Sequence, residues 1–543
     1  MSAHTAIDGA SRWKGHGEVS RGRSSPPGQN AEGRPPRHGG PRAESFDPGQ
    51  YRKHSMDEQK RQQRTGETAT PRPTFWEMLE KLTPKATRPD PDGEEVIQSV
   101  GNPEAQPPVG EPLSSTARDR QRALTARLME QVCEPGNLNR AYARVKANKG
   151  APGVDGMSVS KLGTWIKLHQ HELITSLLDG SYQPQPVRGV QIPKPGGKGM
   201  RQLGIPTVID RLVQQAIRQV LEPILDLTFS ASSYGFRPGR SAHDALKKAK
   251  EYVAEGRIIV VDIDLEKFFD KVNHDILMAR LGRWVGDKRM LRIIGRFLRA
   301  GMMQNGVCIL REEGTPQGGP LSPLLANLLL DDLDKELEKR GHQFCRYADD
   351  CNIYVQSKAA GERVLASVTR FLEQKLRLRV NREKSAVAFV LERKFLGHRL
   401  LPGGKLGVAP QSLERARERL RQITGRSRGV SFEQVIGEVN EFIIGWVTFF
   451  RHAACRTHLI EMDQWLRHRL RCLRLKQCKR TKPTFDLLRR LGVPKHRAWM
   501  GAACGKGWWR SADTPPVKEG MSTAWFETLG LISLFQRFVQ LKG

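Results

Sequence analysis

The sequence is narrowed first by what it lacks. Its 8 cysteines (Cys133, Cys308, Cys345, Cys351, Cys455, Cys472, Cys478 and Cys504) form no C-x-x-C pair, so neither a zinc knuckle nor a disulfide framework is encoded. They read as reduced thiols in a cytosol-like compartment. Apolar runs such as "LLANLLL" are far shorter than the roughly 18 residues a membrane-spanning helix needs. The N-terminus has no apolar segment of the secretory kind, and Asp8, Glu18, Glu32 and Asp47 weigh against an organellar transit peptide. Acidic side chains are the minority, 58 against 89 basic ones, so the 543 residues carry a formal charge of +31. That excess predicts attraction to a polyanion, with nucleic acid the first candidate.

At roughly 150 residues per domain, the length suggests three or four units. Residues 1–114 are rich in Gly, Pro, Ser, Arg and Gln and poor in large apolar side chains, which predicts a disordered basic extension. Within it, "PTFWEMLEKL" places Thr74 and Glu77 at capping-box spacing, with Phe75, Met78, Leu79 and Leu82 on one face. That is either a short docking helix or a transient helix with no partner. From about Ala117 to Leu400 helix and strand periods mix, as in an α+β domain. Beyond Ala409 the pattern is helical: Ser431 and Gln434 open "VSFEQVIGEVNEFIIGWVTFF", and "HLIEMDQWLRHRLRCLRL" follows as a second long helix.

Chemistry enters with "FCRYADDCNIYV", where Asp349 and Asp350 interrupt two alternating, strand-like runs. An exposed turn alone would explain a lone Asp-Asp. However, "RIIVVDIDLEKFFD" supplies a second acidic strand end: Ile258 to Ile263 reads as a buried strand, with Asp262 and Asp264 on one face. Three carboxylates converging there suit two divalent cations roughly 3.5–4 Å apart, whereas without metal they would repel one another. The pattern predicts a ligand set for Mg²⁺. Between these motifs, "TPQGGPLSPLLANLLLDDLDKELEKRG" reads as a loop and a helix, with Ser322 as N-cap, Pro323 at the first helical position and Gly341 past the end.

With "EGTPQGGPLSPLLANLLLDDLDKEL" between them, these motifs resemble the palm of reverse transcriptases, specifically the group II intron reverse transcriptase/maturases. The likeness runs on through "NLNRAYARVKANKGAPGVDGMSV", "IPKPGGKGMRQLGIPTVIDRLVQQAI", "SYGFRPGRSAHDAL", "LRVNREKSAV", "FLGHRL", "GWVTFF" and "KGWWRSADTPP", covering about residues 120 to 543. It implies an α+β right-hand polymerase followed by an all-α region. Fingers would span 115–215, the palm 216–405, a helical thumb/maturase RNA-binding domain 406–510 and a C-terminal maturase segment 511–543.

Carried over to this chain, the resemblance makes Asp264, Asp349 and Asp350 the ligands of two Mg²⁺ ions, with the Leu265 carbonyl completing one site. Asp264 is preferred to Asp262 because the family places an aromatic five positions after its catalytic Asp, here Phe269; Asp262 would be a helper or structural. Phe269 would lie under the incoming sugar and select dNTP over NTP by leaving no room for a 2′-OH. Lys194 and Arg201 flank "KPGGKGMR" and would hold triphosphate oxygens, and Lys198 is an alternative for either. Gln317, Gly318 and Gly319 would let backbone approach the template and nascent pair. Lys384 in "NREKS" would protonate departing pyrophosphate.

From Arg451 to Arg510 there are 16 Lys and Arg against 3 Asp and Glu, interleaved with Trp465, Trp499, Trp508 and Trp509. A solvated basic face is the usual meaning of such a run; aromatics among the charges point toward RNA. Arg467, Arg471 and Arg474, at i, i+4 and i+7, are expected on one RNA-facing side. The implied function is RNA-directed DNA synthesis combined with binding of intron RNA to assist splicing and target-primed retrohoming, in a bacterial cytoplasm. Partners would be group II intron RNA, primer-template, dNTPs and target DNA. A splicing-only maturase and a domesticated defence-type reverse transcriptase are the alternatives. Without paired C-x-x-C ligands, no zinc-dependent His-Asn-His endonuclease is expected, and hence no cutting of a second DNA strand.

Overall fold

The β-branched run ending at Ile263 forms a buried strand, as its composition predicts. In the computed structural model the described residues are 123–193, 199–304, 307–309, 313–315 and 318–542. The N-terminal extension with its Phe75 segment, and Lys194, Lys198 and Gln317, lie outside them.

Helices at Leu128–Cys133, Pro135–Asn148 and Leu162–Leu178 precede the hairpin of β1 (Val187–Pro193) and β2 (Met200–Ile205). Helix α1 (Val208–Asp226) follows, its Thr207 cap accepting from the Asp210 amide. Next come α2 (Ala242–Ala254), opened by a Ser241–Asp244 capping box, and β3 (Ile259–Ile263). The short strands β4 (Met302–Gln304) and β5 (Val307–Ile309) join the first hairpin in a sheet ordered β2-β1-β4-β5. Then come α3 (Ser322–Lys339), the hairpin β6 (Gln343–Tyr347) and β7 (Asp350–Val355), α4 (Lys358–Lys375) and β8 (Ala386–Phe389). Strands β6, β7, β3 and β8 form a second, wholly antiparallel sheet in that order, and β9 (His398–Leu401) pairs with β10 (Lys405–Val408).

Period-2 alternation decides which way the second sheet faces. Val261, Ile263, Phe344, Cys351 and Ile353 join a core that also holds Leu212 and Ile217 of α1 and Leu325 and Leu329 of α3. Val260, Cys345 and Tyr354 point the other way, onto Leu246 and Tyr252 of α2. With both faces covered, chemistry on this sheet is confined to its strand ends. Each buried leucine of α3 contributes about 1.5–3 kcal/mol, so that helix fixes the sheet firmly.

Helix α3 corrects one expectation. Its cap is Leu321, already helical at φ −82°, ψ −29°, so Ser322 begins the helix and Pro323 is second. The preceding loop arrives in helical conformation and shifts the boundary by one residue. Gly341 does terminate the helix in a left-handed conformation, φ +70°.

From Pro410 onward the described chain is helical. Ser431 caps α5 (Phe432–Phe450) by accepting from the Gln434 amide, and α6 (Arg456–Cys478) is the second long helix. Shorter helices continue to Leu534–Gln540. This region closes its own core, from Val408 and Leu413 through Val439 and Leu466 to Phe538.

Candidate active site

Antiparallel register brings the acids together. β3 pairs with β7 as far as Ile263 opposite Cys351, so Asp264 and Asp350 flank the end of that ladder, and the charge of Asp264 acts on both Asp349 and Asp350. The β6–β7 turn has two central residues, Ala348 and Asp349, because Tyr347 pairs with Asp350. Ala348 has φ +59°, the positive value that a tight hairpin requires at its first central position. The expected hairpin tip is therefore present, shorter than the four residues from Ala348 to Cys351, with Asp350 inside the strand.

Electrostatics record the crowding. Asp350 is pushed up to about 7, first by burial and then by Asp349, Asp262 and Asp264. The residue keeps exposed surface, and burial and three neighbouring carboxylates act on it in the same direction. Burial and the charge of Asp264 likewise raise Asp349. Among the described residues, no three His, Cys, Asp or Glu side chains are gathered tightly enough to cage a metal. The donor set is nevertheless all carboxylate oxygen and mutually repulsive, the chemistry that a hard divalent cation such as Mg²⁺ relieves.

Asp264 is clasped by the turn that follows α4. Its carbonyl accepts from the Asn381 amide at 2.9 Å, its amide donates to Ser385 Oγ at 3.0 Å, and Lys384 Nζ reaches its Oδ1 at 3.3 Å. Lys384 thus lies at the carboxylates. Leu265 bridges to Val380, but the two bonds of that bridge use Asp264 O and Glu266 N, leaving the Leu265 carbonyl outside it. Asp262 takes the structural option: Arg393 Nε and Nη2 donate to its Oδ2 at 2.9 and 2.6 Å, and Nη2 continues to the Lys384 carbonyl.

Phe269 is half-buried on a short 3₁₀ turn, edge-on to Phe268 at 5.1 Å, and its carbonyl accepts from the Thr315 amide at 2.6 Å. Arg201 lies on β2 opposite Ile192, its Nε buried without a partner. Gly318 has φ +128°, and a Cβ there would stand 2.8 Å from the Gly204 carbonyl; one on Gly319 would stand 2.4 Å from Gln214 Oε1. Close packing against the β2 backbone, together with a positive φ, already requires glycine at 318, independently of any template, whereas at Gly319 the neighbour is the movable end of the Gln214 side chain.

The helical region revises the arginine reading. Arg471 is buried: its Nε donates to the Met521 carbonyl at 2.8 Å and its guanidinium covers the Phe526 ring. It therefore belongs to the packing of the last helices, and the three arginines do not share one solvent-facing side. Arg467 and Arg474 are partly exposed, the latter lying over Phe432. Trp508 is half-buried, whereas Trp499 and Trp509 are exposed, Trp509 edge-on to His468.

Two residues near the acids escaped the sequence reading. Arg346, immediately before the hairpin turn, is wholly buried, and Gly235 lies so close that a Cβ would stand 2.4 Å from the Ala348 amide nitrogen. A lone arginine inside the apolar run "FCRYA" was the available signal for the first.

An antiparallel sheet with acids at its strand ends, covered by helices and followed by a separate helical domain, is the architecture of a nucleic-acid polymerase palm and its appended binding domain. Residues 192–400 match the family model described as reverse transcriptase (RNA-dependent DNA polymerase), and residues 413–492 match the group II intron maturase-specific domain. Protein YkfC of Escherichia coli is 35% identical over 317 residues, 51% of this chain and 83% of that protein. The group II intron-encoded protein LtrA of Lactococcus lactis is 39% identical over 232 residues, 41% of this chain and 37% of LtrA. A chain of a partial Cas6-RT-Cas1–Cas2 complex aligns with 29% identity over 46% of this chain and 43% of its own, at a TM-score of 0.31. The chain belongs to the group II intron reverse transcriptase/maturase family. No helix among the described residues is long and apolar enough to cross a membrane.

Proposed function

We propose that this chain copies RNA into DNA at the second sheet and grips group II intron RNA with its helical domain, assisting splicing and target-primed retrohoming. The observation that carries the proposal is the gathering of Asp264, Asp349 and Asp350 at the strand ends of a sheet covered on both faces, close enough for the charge of Asp264 to act on the other two. In this reading the three carboxylates hold two Mg²⁺ ions with help from the Leu265 carbonyl. Bound Mg²⁺ would supply Lewis-acid stabilisation of the transferred phosphate and of the attacking oxygen.

This chain's residues do the rest. Arg201, together with Lys194, binds the triphosphate, while Gly318, beside Gln317, lets backbone approach the template and nascent pair. The Phe269 ring closes the space that a 2′-OH would need. The primer 3′-hydroxyl gives its proton to solvent as its oxygen forms the new bond to the α-phosphorus, and the bond from that phosphorus to pyrophosphate breaks. Lys384 Nζ, poised beside Asp264 at 3.3 Å, holds the proton that the leaving pyrophosphate takes. Arg467, Arg474, Trp508 and Trp509 contact RNA, and target DNA engages during retrohoming. The unpaired thiols suit a reducing bacterial cytoplasm, with the protein on the nucleoid when bound to DNA.

Asp349→Ala tests the reading. Oligo(dT) extension on poly(rA) in Mg²⁺ should fall to background while affinity for structured RNA stays at the wild-type level. Extension at wild-type rates would overturn the site. A wild type that binds RNA but never extends a primer would leave the splicing-only reading.

A further inference from the structure

Arg346 is the fully buried charge nearest the acidic turn, and its surroundings are unusually complete. An arginine has five N–H donors, and all five are used here. Nε donates to Asp334 Oδ1 at 2.7 Å, and Nη2 to Asp334 Oδ2 at 2.5 Å and to Ser233 Oγ at 2.8 Å. Nη1 donates to Asn327 Oδ1 and to the Ala348 carbonyl, both at 2.9 Å. Asp334 and Asn327 project from α3, and neither is more than 1% exposed.

The backbone repeats the same connection. Arg346 exchanges bonds with Ser232 and Tyr234, its amide donating to the Ser232 carbonyl and its carbonyl accepting from the Tyr234 amide, both at 2.9 Å. That segment therefore runs alongside β6. Asn327 Nδ2 donates to the Gly235 carbonyl at 2.8 Å, and Gly235 in turn packs against the Ala348 amide. Ala348 is thus gripped at both ends of its own residue, in a positive-φ conformation that a residue with a Cβ adopts at a cost.

A buried ion pair is weak evidence for stability, since apolar replacement is often neutral. Its better-attested use is to fix one geometry. The geometry fixed here is that of the residue directly before Asp349.

We propose that Arg346 is a positioning residue for polymerisation: through the Ala348 carbonyl, with Asp334, Asn327 and Gly235 as its frame, it holds the two-residue turn that aims Asp349 and Asp350 at the metal site. The inference rests on the polymerase reading of those two carboxylates. Lysine cannot replace it, because an ammonium has three donors from one atom and cannot reach four separate groups in a plane.

The test uses two variants of the full chain. Arg346→Met with Asp334→Leu removes both charges together, so no buried carboxylate is left unpaired. Arg346→Lys keeps the charge and discards the fork. Four readouts are needed: thermal unfolding, Mn²⁺ binding followed by electron paramagnetic resonance without nucleotide, amide hydrogen exchange across residues 347–351, and primer extension. Expected are a melting point lowered by several degrees, because the Ala348 carbonyl, Asn327 Oδ1 and Ser233 Oγ lose their donor, with the variant still folding cooperatively, Mn²⁺ binding weaker by about tenfold, and faster exchange in the turn. Extension at saturating dNTP should fall by about 100-fold, as a small misplacement of catalytic groups does, with KM for dNTP changing little. A folded variant of either kind with Mn²⁺ binding and exchange within twofold of wild type would overturn the inference. Should the double variant fail to fold, Arg346→Lys decides by the same readouts. A wild type that extends no primer refutes the polymerase reading alone, because metal binding and exchange still report on the turn.

Discussion

Acid should loosen the joint between the β9–β10 hairpin and the helical domain through a single imidazole. His398, on β9, is wholly buried; its Nδ1–H donates to the Leu396 carbonyl at 3.0 Å, and its Nε2 finds no partner. The Phe449 and Phe450 rings lie 5.5 and 4.7 Å away, at the end of α5, and His243 and His452 are the other titratable groups facing it. Burial pushes His398 down to about 4 from the ordinary 6.5, with the backbone bond opposing and the two histidines assisting. The unfolded chain therefore binds a proton between pH 6.5 and 4 that the folded chain refuses. Stability is complete above pH 6.5 and drains away as pH falls toward 4. A separation of 2.5 pH units is worth about 3 kcal/mol in full, and about 2 kcal/mol is already lost at pH 5. His398→Asn keeps a donor for Leu396 and cannot titrate. Urea unfolding of both proteins from pH 7.5 to 4.5 isolates the histidine from all other groups, since only the difference between the curves is used. That difference should move by about 2 kcal/mol against wild type between pH 7.5 and 5. Parallel curves would refute the reasoning, because they would mean that the ring is hydrated or already protonated in the native state.

Phe269→Ala should raise the ratio of NTP to dNTP incorporation by opening space for a 2′-OH, measured by primer extension with each nucleotide; an unchanged ratio in an active variant would place the sugar filter elsewhere. Arg471→Gln should lower stability by about 1–3 kcal/mol by leaving the Met521 carbonyl unpaired, and should affect RNA affinity only through folding. Arg467→Gln with Arg474→Gln should do the reverse: binding of structured RNA and splicing should weaken together, while the unfolding midpoint stays near wild type. RNA affinity that tracks Arg471 instead would restore the single-face reading.

Much of the site was legible because it depends on local rules. Alternation in β3 and across β6 and β7 required only period 2, and antiparallel pairing of β3 with β7 was enough to bring two acidic strand ends to the same edge of the sheet. The Ser431 cap is likewise a matter of four consecutive residues. What escaped depended on distant partners. Arg471 has the spacing of a surface arginine, and nothing within its helix announces that Met521, fifty residues on, will cover it. Arg346 is the converse case. A charged residue in a strand reads as solvent-facing until Asp334 of α3 and Ser233 of the preceding loop are brought to it. Ser322 missed its cap by one position because the conformation of the entering loop, at Leu321, set the boundary.

The two separately closed cores carry an evolutionary consequence. The helical region buries its own apolar residues between Val408 and Phe538, while the core on one face of the sheet bearing the acids is completed by α1, α3 and α4, all before residue 376. Substitutions that retune the outer face of the helical region therefore cost the palm little in packing. A lineage can change which RNA it grips, residue by residue, while the polymerising half stays under its own constraints. The two meet where His398 packs on Phe449 and Phe450, where His243 of α2 bonds the Phe449 carbonyl and stacks edge-on to His452, and where Ala454 donates to Leu406, and those are where the two histories must agree.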